Sequence, residues 1–464
     1  MLHDKRLQRI GLGDLPDNYF DDKDGRGYRF YIAEDVVRAG ACESIRCDER
    51  GWDGIAKLYE GVDTVALYVH VPWCIEECTY CYYWGKVDTR REMARLLKAE
   101  QKHAETLDEV FALSNKRVPS IYFGGGTPTV LPPDLLEDCL AFYAGRYASA
   151  GGTEVSCEAS VSSLSEAKIE ILKKYATRLS IGVQTFNDRI LEMVARTFSR
   201  SKAIELLKEL KRHFNYINID LIYGMQTQTL RDWLQTVETA INIGVTSITL
   251  YRLEVRDGPK LIKTYLENPE EFPTEIDCRE MHSAAKAILQ SAGYRENLVG
   301  WFLKPEVEDT VVYRERWQKQ TPCVAFGPGV QNYGGDYFYY NVIDRLDYID
   351  RVERKAPTTN AICKMDKKQQ MLWYVMAQFK SNSAVKNSEL AARFGYESLN
   401  DFHSLIADFV DWKVLTTSGE ETELTEGGKS ILEWILRDMI RSALGDRDGH
   451  HAGVFNIAPA LRKG

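Results

Sequence analysis

Between residues 64 and 253, short apolar runs alternate with longer amphipathic segments, and this alternation restricts the chain more than any other feature. Thr64–Val71 has the length and β-branched character of a buried strand, while Arg90–Leu113 repeats its apolar residues at helical spacing. Further strands are expected at Ser120–Phe123, Glu154–Ala159, Arg178–Val183, Tyr216–Ile222 and Ser247–Leu253. Helices are expected between them at Leu135–Tyr147, Ser165–Tyr175, Asp188–Arg196, Lys202–His213 and Leu230–Ile243. Strands separated by helices pair in parallel, because the helix is the crossover that returns the chain to the same end of the sheet. Six units rather than eight predict an α/β fold, a partial (β/α)6 barrel of the TIM type, with its site at the C-terminal ends of the strands.

The flanking regions read differently. Residues 1–63 are polar and irregular, with a Gly/Asp-rich stretch at Asp21–Gly27, and form an N-terminal extension long enough to close over a site. Residues 64–260 hold the barrel. Beyond them the alternation stops: residues 261–365 contain a helix at Glu275–Ala292 and an aromatic, Gly-rich stretch at 300–345, and are expected to close the barrel and bound the substrate. Residues 366–464 offer helices at Lys367–Phe379, Asn387–Phe394, Leu399–Val414 and Lys429–Leu444, with a strand-like Leu415–Leu424, which is a mostly helical winged-helix outline. That fold often reads DNA, but here it carries Asp401, Asp408, Asp411, Glu420, Glu421 and Glu423, and the whole chain has a formal charge of −9. Phosphate binding needs a basic footprint, so no nucleic-acid partner is expected. No apolar run approaches the roughly 20 residues that span a bilayer. The first residues lack the apolar core of a signal peptide. A cytoplasmic protein with no membrane partner is expected.

The chain has ten cysteines, three of them gathered as C-x3-C-x2-C at Cys74, Cys78 and Cys81, directly after the first strand. Three thiolates can hold three irons of a four-iron cube and leave the fourth open to a chelating cosubstrate. Structural zinc is the alternative, but it is closed by four ligands and the paired C-x2-C repeat is absent. Cys139 and Cys157 lie in apolar periodic segments and read as small buried hydrophobes. Cys42 and Cys47 are five apart, with no further ligand nearby.

Polar residues punctuate the strand ends. Strand two runs into Gly124-Gly125-Gly126-Thr127-Pro128, where glycines let backbone approach a ligand closely. Strands three, four and five bring Glu158, Gln184 and Asp220 towards their C-terminal ends, and Arg196 follows on the next helix. One such residue is compatible with a satisfied core group; three on successive strands read as site residues.

The stretches Tyr-Val-His-Val-Pro-Trp-Cys, Tyr-Phe-Gly-Gly-Gly-Thr-Pro-Thr, Leu-Ser-Ile-Gly-Val-Gln-Thr-Phe-Asn and Asn-Ile-Asp-Leu-Ile-Tyr-Gly-Met, all between Leu67 and Tyr251, resemble the radical S-adenosylmethionine (SAM) superfamily, in particular its oxygen-independent coproporphyrinogen III oxidase-like family. The resemblance implies a [4Fe–4S] cluster on Cys74, Cys78 and Cys81 that cleaves SAM to a 5′-deoxyadenosyl radical. It implies that Tyr68, Gly125 and Glu158 contact the SAM on the cluster. Tyr80, Gly126, Thr127, Gln184, Arg196 and Asp220 would contact a second SAM, with Glu254 at a further position of that site. Tyr68, Gln184, Arg196 and Asp220 are the residues expected to act in catalysis. A flavodoxin- or ferredoxin-type electron donor and a small-molecule substrate are the implied partners.

Two positions depart from the family pattern. Tyr83 stands where coproporphyrinogen oxidases carry a fourth cysteine, and Tyr313-Arg314-Glu315-Arg316-Trp317 stands where the heme-chaperone branch has a His-Asn pair. These departures favour a two-SAM C-methyltransferase or cyclopropanase acting on an sp2 carbon of a small biosynthetic substrate. The alternatives are a tetrapyrrole enzyme, for coproporphyrinogen III decarboxylation or anaerobic heme opening, and a heme chaperone. Arg252, Arg256, Arg314 and Arg316 are candidate partners for tetrapyrrole propionates.

Overall fold

The structure, a computed structural model, describes residues 2–16, 19–20, 43–46, 52–81, 83, 85–149, 152–255, 260–307, 313–334 and 336–444. The Asp21–Gly27 stretch, Cys42, Cys47 and Arg256 lie outside the described residues.

All six expected strands form, as β1 (Ala66–Val71), β2 (Ser120–Gly125), β3 (Glu154–Ser160), β4 (Arg178–Gln184), β5 (Ile217–Tyr223) and β6 (Ser247–Arg252). Each pairs in parallel with the next. The crossovers are α1 (Arg90–Phe111), α2 (Pro133–Tyr147), α3 (Glu166–Tyr175), the pair α4 (Asp188–Met193) and α5 (Arg200–Leu210), and α6 (Leu230–Ile243). Their ends are set by local chemistry. Thr89 caps α1 through the Glu92 amide, and Thr229 and Asp232 form a reciprocal capping box at the start of α6. Gly244, at φ +75°, closes the last turn of α6.

Side-chain alternation along each strand divides the barrel into two environments. Leu179, Ile181 and Val183 of β4 and Ile217, Ile219 and Leu221 of β5 are fully buried on the outer face, in one core with Trp233, Val237 and Ala240 of α6. The intervening residues, Arg178, Ser180 and Gly182 on β4 and Asn218 and Asp220 on β5, face the barrel interior. Parallel strands packed on both faces are usually apolar throughout. Here only the helix-covered face is apolar, and the interior is left polar for a site. Cys139 and Cys157 are buried in the core, as expected.

The sheet does not stop at residue 260. It continues through β7 (Arg295–Leu298), β8 (Trp301–Leu303), β9 (Cys323–Phe326), β10 (Gln331–Tyr333), β11 (Tyr337–Tyr340) and β12 (Ala361–Lys364). β9 adds in parallel beside β1, β8 adds antiparallel beside β6, and Glu43–Arg46 pairs antiparallel with β12, so among the described residues one 13-stranded sheet runs past both edges of the six-stranded unit. Three- and four-residue strands with no helix between them carry too little periodicity to be read from sequence.

The C-terminal region has its own core. It is built on α7 (Lys367–Lys380), α8 (Asn387–Phe394), α9 (Glu397–Asp411), a small sheet of Val385–Lys386, Leu415–Ser418 and Glu421–Leu424, and α10 (Leu432–Leu444). Leu372, Phe379, Phe402, Trp434 and Met439 are buried there. The described residues within 2–20 of the N-terminal extension join this core: Leu7, Leu12 and Leu15 are buried in it, and Arg6 bonds Asp277 and Glu280. Ile55 and Tyr59, later in the extension, are instead buried in the barrel core. A helix of Leu2–Arg9 supplies an apolar stripe that needs a partner, and the helical domain provides one. No helix among the described residues is long and apolar enough to cross a membrane.

Candidate active site

The loop after β1 carries the cysteines and is sewn to the loop after β2. The Gly126 amide donates to the Val71 carbonyl and the Thr127 amide to the Trp73 carbonyl, each at 2.8 Å, and the Cys74 amide donates to Gly85 O at 2.8 Å. A Cβ on Gly126 would sit 2.5 Å from the Trp73 carbonyl, and Gly125 holds φ +115°. Only glycine allows both the close approach and that backbone angle.

Cys74, Cys78 and Cys81 line one cavity at the C-terminal ends of the strands, enclosing about 760 Å³ of empty space with its open mouth. Its walls include Tyr80, Gly126, Thr127, Glu158, Gln184, Arg196 and Asp220. Seven site residues expected from sequence therefore meet beside the three cysteines. Tyr68, Gly125 and Glu254 are not among the lining residues. Tyr68 points into the barrel, but its ring stacks on Tyr122 and its hydroxyl lies 3.3 Å from His70 Nδ1. The Gly125 amide is turned to the Glu158 carboxylate at 3.3 Å. Glu254 lies two residues past the end of β6.

Burial pushes the Cys74 thiol up to about 11 and the Cys81 thiol up to about 12, and also raises Cys78. Thiols raised in this way are poor anions alone, and a bound cationic centre reverses that by favouring the thiolates. Among the described residues, no His, Cys, Asp and Glu side chains group so as to hold a metal ion. All three cysteines line one open cavity, which suits a cluster that keeps a position for a cosubstrate, whereas structural zinc is closed by four ligands.

The opposite wall is polar and partly unsatisfied. Tyr122 donates to Glu158 Oε1 at 2.6 Å; burial and nearby Asp220 nevertheless push the Glu158 carboxyl up to about 7. Asp220 accepts from Asn218 Nδ2 at 2.9 Å and from Ser180 Oγ at 3.3 Å, and burial raises its carboxyl too. Gln184 sits at a bulge in the β4–β5 ladder with φ +68°, unusual for a residue with a side chain, and its Oε1 is buried with no hydrogen-bond partner. A strained backbone presenting an orphaned acceptor to a cavity marks a ligand position. Three sulfur donors, a glycine cradle and an unpaired acceptor fit a cluster with SAM beside it.

Arg196 enters this wall already paired. Its Nη1 donates to Glu76 Oε2 at 2.8 Å and its Nη2 to the Gly182 carbonyl at 3.2 Å. Glu76, Ser160, Ser162, Ser163, Ser180 and Gly182 also line the cavity and were not singled out from sequence. Glu76 lies inside the C-x3-C spacing, where it reads as a spacer; Ser160-Val161-Ser162-Ser163 directly after Glu158 was the available signal for the serines.

Comparison with known proteins agrees with this geometry. Residues 68–240 match the family model of the Radical SAM superfamily. The chain is 28% identical over 250 residues to the heme chaperone HemW of Buchnera aphidicola, covering 53% of this chain and 64% of that one. It is 27% identical over 389 residues to HemW of Lactococcus lactis, covering 80% and 97%. It is 25% identical over 277 residues to the anaerobilin synthase of Escherichia coli O157:H7, covering 59% and 62%. The first of these relatives is thus matched over just under two thirds of its own length. Among solved structures, coproporphyrinogen III oxidase (HemN) of Escherichia coli, a radical SAM enzyme, superposes with a TM-score of 0.73 at 18% identity, over 89% of this chain and all of that one. That likeness establishes the fold. A radical SAM domain implies a [4Fe–4S] cluster and SAM, and the three-cysteine cavity and the partial barrel around it are built mainly from residues 68–240, the stretch that matches the Radical SAM superfamily.

Proposed function

We propose that this chain is a radical SAM enzyme whose substrate is a tetrapyrrole. The observation that carries the enzymatic part is the single cavity in which three cysteine thiols face Glu158, Gln184 and Asp220. The substrate class is supported by the relatives, whose names refer to heme, an anaerobilin and coproporphyrinogen III. This reading takes precedence over the C-methyltransferase or cyclopropanase expectation, which rested on two departures from the family pattern and finds no counterpart among these relatives. The heme-chaperone alternative finds less support in the site itself, because strain at Gln184 and buried carboxyls are costly features for a surface that only carries heme.

When bound, a [4Fe–4S] cluster with SAM supplies reductive cleavage of SAM. The residues of this chain provide the frame. Cys74, Cys78 and Cys81 would hold three irons, and the Gly126–Thr127 backbone would border the amino-acid end of SAM. Glu158, near neutral pH, can accept or donate at a ribose hydroxyl or an amine. Gln184 Oε1 and Asp220, on the far wall, are the positions at which a second SAM would be held. Among the candidate propionate partners, Arg252 is engaged by buried Glu275.

The test is anaerobic turnover of reconstituted, dithionite-reduced protein with SAM, with and without coproporphyrinogen III or heme, quantifying 5′-deoxyadenosine and S-adenosylhomocysteine by mass spectrometry. The proposal expects one tetrapyrrole to raise 5′-deoxyadenosine and to be converted. Accumulation of both nucleosides would favour carbon transfer from a second SAM. SAM cleavage that neither tetrapyrrole alters would overturn the substrate class, and persistence of cleavage in Cys78→Ala would overturn the site.

A further inference from the structure

Spacer residues of a cysteine loop ordinarily face solvent. Glu77 does: its side chain is 42% exposed, and it pairs with the exposed Lys260 at 3.1 Å. Its neighbour Glu76 does the opposite, with a side chain only 3% exposed. A carboxylate has about four acceptor directions, and Glu76 fills four. Thr197 donates to Oε1 through its amide and its hydroxyl, both at 2.6 Å. Arg196 Nη1 and Ser160 Oγ donate to Oε2 at 2.8 and 3.3 Å. Burial works against the charge, but Arg196 and Thr197 outweigh it and hold the carboxyl below its ordinary value.

The segment that supplies these donors is itself built for the purpose. Ala195 takes φ +59°, a left-handed turn that a residue with a Cβ rarely adopts, and the chain then turns both the Arg196 side chain and the Thr197 amide to the cysteine loop. A second tether comes from the same place: the Thr79 amide donates to the Val194 carbonyl at 3.3 Å. Arg196 Nη2 anchors the arrangement to the Gly182 carbonyl on β4, beside the bulge that presents Gln184.

We propose that Glu76 is a positioning residue that presets the three-cysteine loop before any cluster enters, by locking it to Val194–Thr197 and through Arg196 to β4. The loop then needs little ordering when iron arrives, and the lifetime of the cluster depends on the Glu76 lock. The ionic partner of Arg196 is thus within the protein, and its role is to place the cysteines and the β4 bulge relative to one another. This inference rests on the radical SAM domain and not on the tetrapyrrole proposal, so either can fail without the other.

The experiment compares the full chain with Glu76→Gln, Thr197→Val and Glu77→Gln. Gln has the shape of Glu but turns an amide donor towards Arg196; Val at 197 removes only one of the four donors and serves if Glu76→Gln does not fold. Two quantities are read: the rate at which a chelator bleaches the iron–sulfur absorbance of the reconstituted protein, and amide hydrogen exchange of residues 74–81 in the cluster-free protein. Loss of an outer-shell partner commonly weakens metal retention about 10- to 100-fold. Glu76→Gln should therefore bleach about 10-fold faster or more and exchange the loop faster when cluster-free. Thr197→Val should shift both readouts in the same direction by less, and Glu77→Gln should leave both as in the parent. Parental bleaching and exchange in Glu76→Gln and Thr197→Val would overturn the proposal. So would a lower thermal midpoint with unchanged bleaching and loop exchange, which assigns Glu76 to bulk stability alone. An equal effect of Glu77→Gln would overturn it too, by tracing the effect to loop charge rather than to the lock.

Discussion

Replacing Gln184 by Gly and by Ala separates backbone strain from ligand contact. At φ +68° a side chain crowds the following carbonyl, at a cost of about 1–2 kcal/mol, and Ala keeps that cost while Gly removes it. Gly is in turn penalised through the unfolded chain by about 0.4–1 kcal/mol relative to Ala. The difference leaves Gln184→Gly more stable than Gln184→Ala by roughly 0.5–1 kcal/mol, the reverse of the usual order inside a strand. Both variants remove the buried, unpartnered Oε1, which relieves about 1–3 kcal/mol of desolvation in the cluster-free protein. Gln184→Ala also loses one methylene and Gln184→Gly two, worth up to about 0.8 kcal/mol each where they are packed. Gln184→Gly is thus expected to match or exceed the parent in stability while binding SAM more weakly. The assays are urea unfolding of the cluster-free protein and equilibrium dialysis of SAM against the anaerobically reconstituted protein. Ala as stable as Gly, or more so, would show that the ladder does not impose the left-handed turn. Undiminished SAM binding in both variants would show that the orphaned acceptor serves no ligand.

Two further outcomes follow from burial. Because Glu158 is held at about 7 in the folded chain, above the ordinary carboxyl value of about 4.3, its contribution to stability is fully present below that ordinary value and is lost as pH rises through about 7. The thermal midpoint of the cluster-free protein should fall from pH 5 to 8, and Glu158→Gln should flatten that fall; parallel curves would contradict the assignment. Leu221→Ala, at a fully buried outward position of β5, should cost about 2–5 kcal/mol in urea unfolding, whereas Tyr396→Ala, 81% exposed, should stay within about 0.5 kcal/mol. Similar effects at the two positions would refute the division into an apolar outer face and a polar interior.

The six parallel strands, their helices and the winged-helix outline were legible because each is a long periodic segment whose period is local. The same holds for Cys74, Cys78 and Cys81, gathered within eight residues of sequence, and for Glu158, Gln184 and Asp220, each a polar break in an apolar strand. The strands after residue 260 were not legible, because three or four residues do not establish a period and their pairing with β1 and β6 is long-range. Nor was the direction of residues 1–16: an amphipathic stripe says that a partner exists, not which core supplies it.

The site shows the same boundary at the level of single residues. By itself the sequence determined which side chains can do chemistry and on which strand each sits, since hydrophobic periodicity and motif spacing are properties of neighbouring residues. Only the tertiary structure decided how those side chains are used. It set Tyr68 against Tyr122 and His70, paired Arg252 with Glu275, and left Gln184 with an unpaired acceptor. It also joined Glu76 to Arg196, 120 residues away. Such pairings depend on where two distant segments come to lie when the strands align, and a buried charge takes whichever partner the fold brings within hydrogen-bond reach.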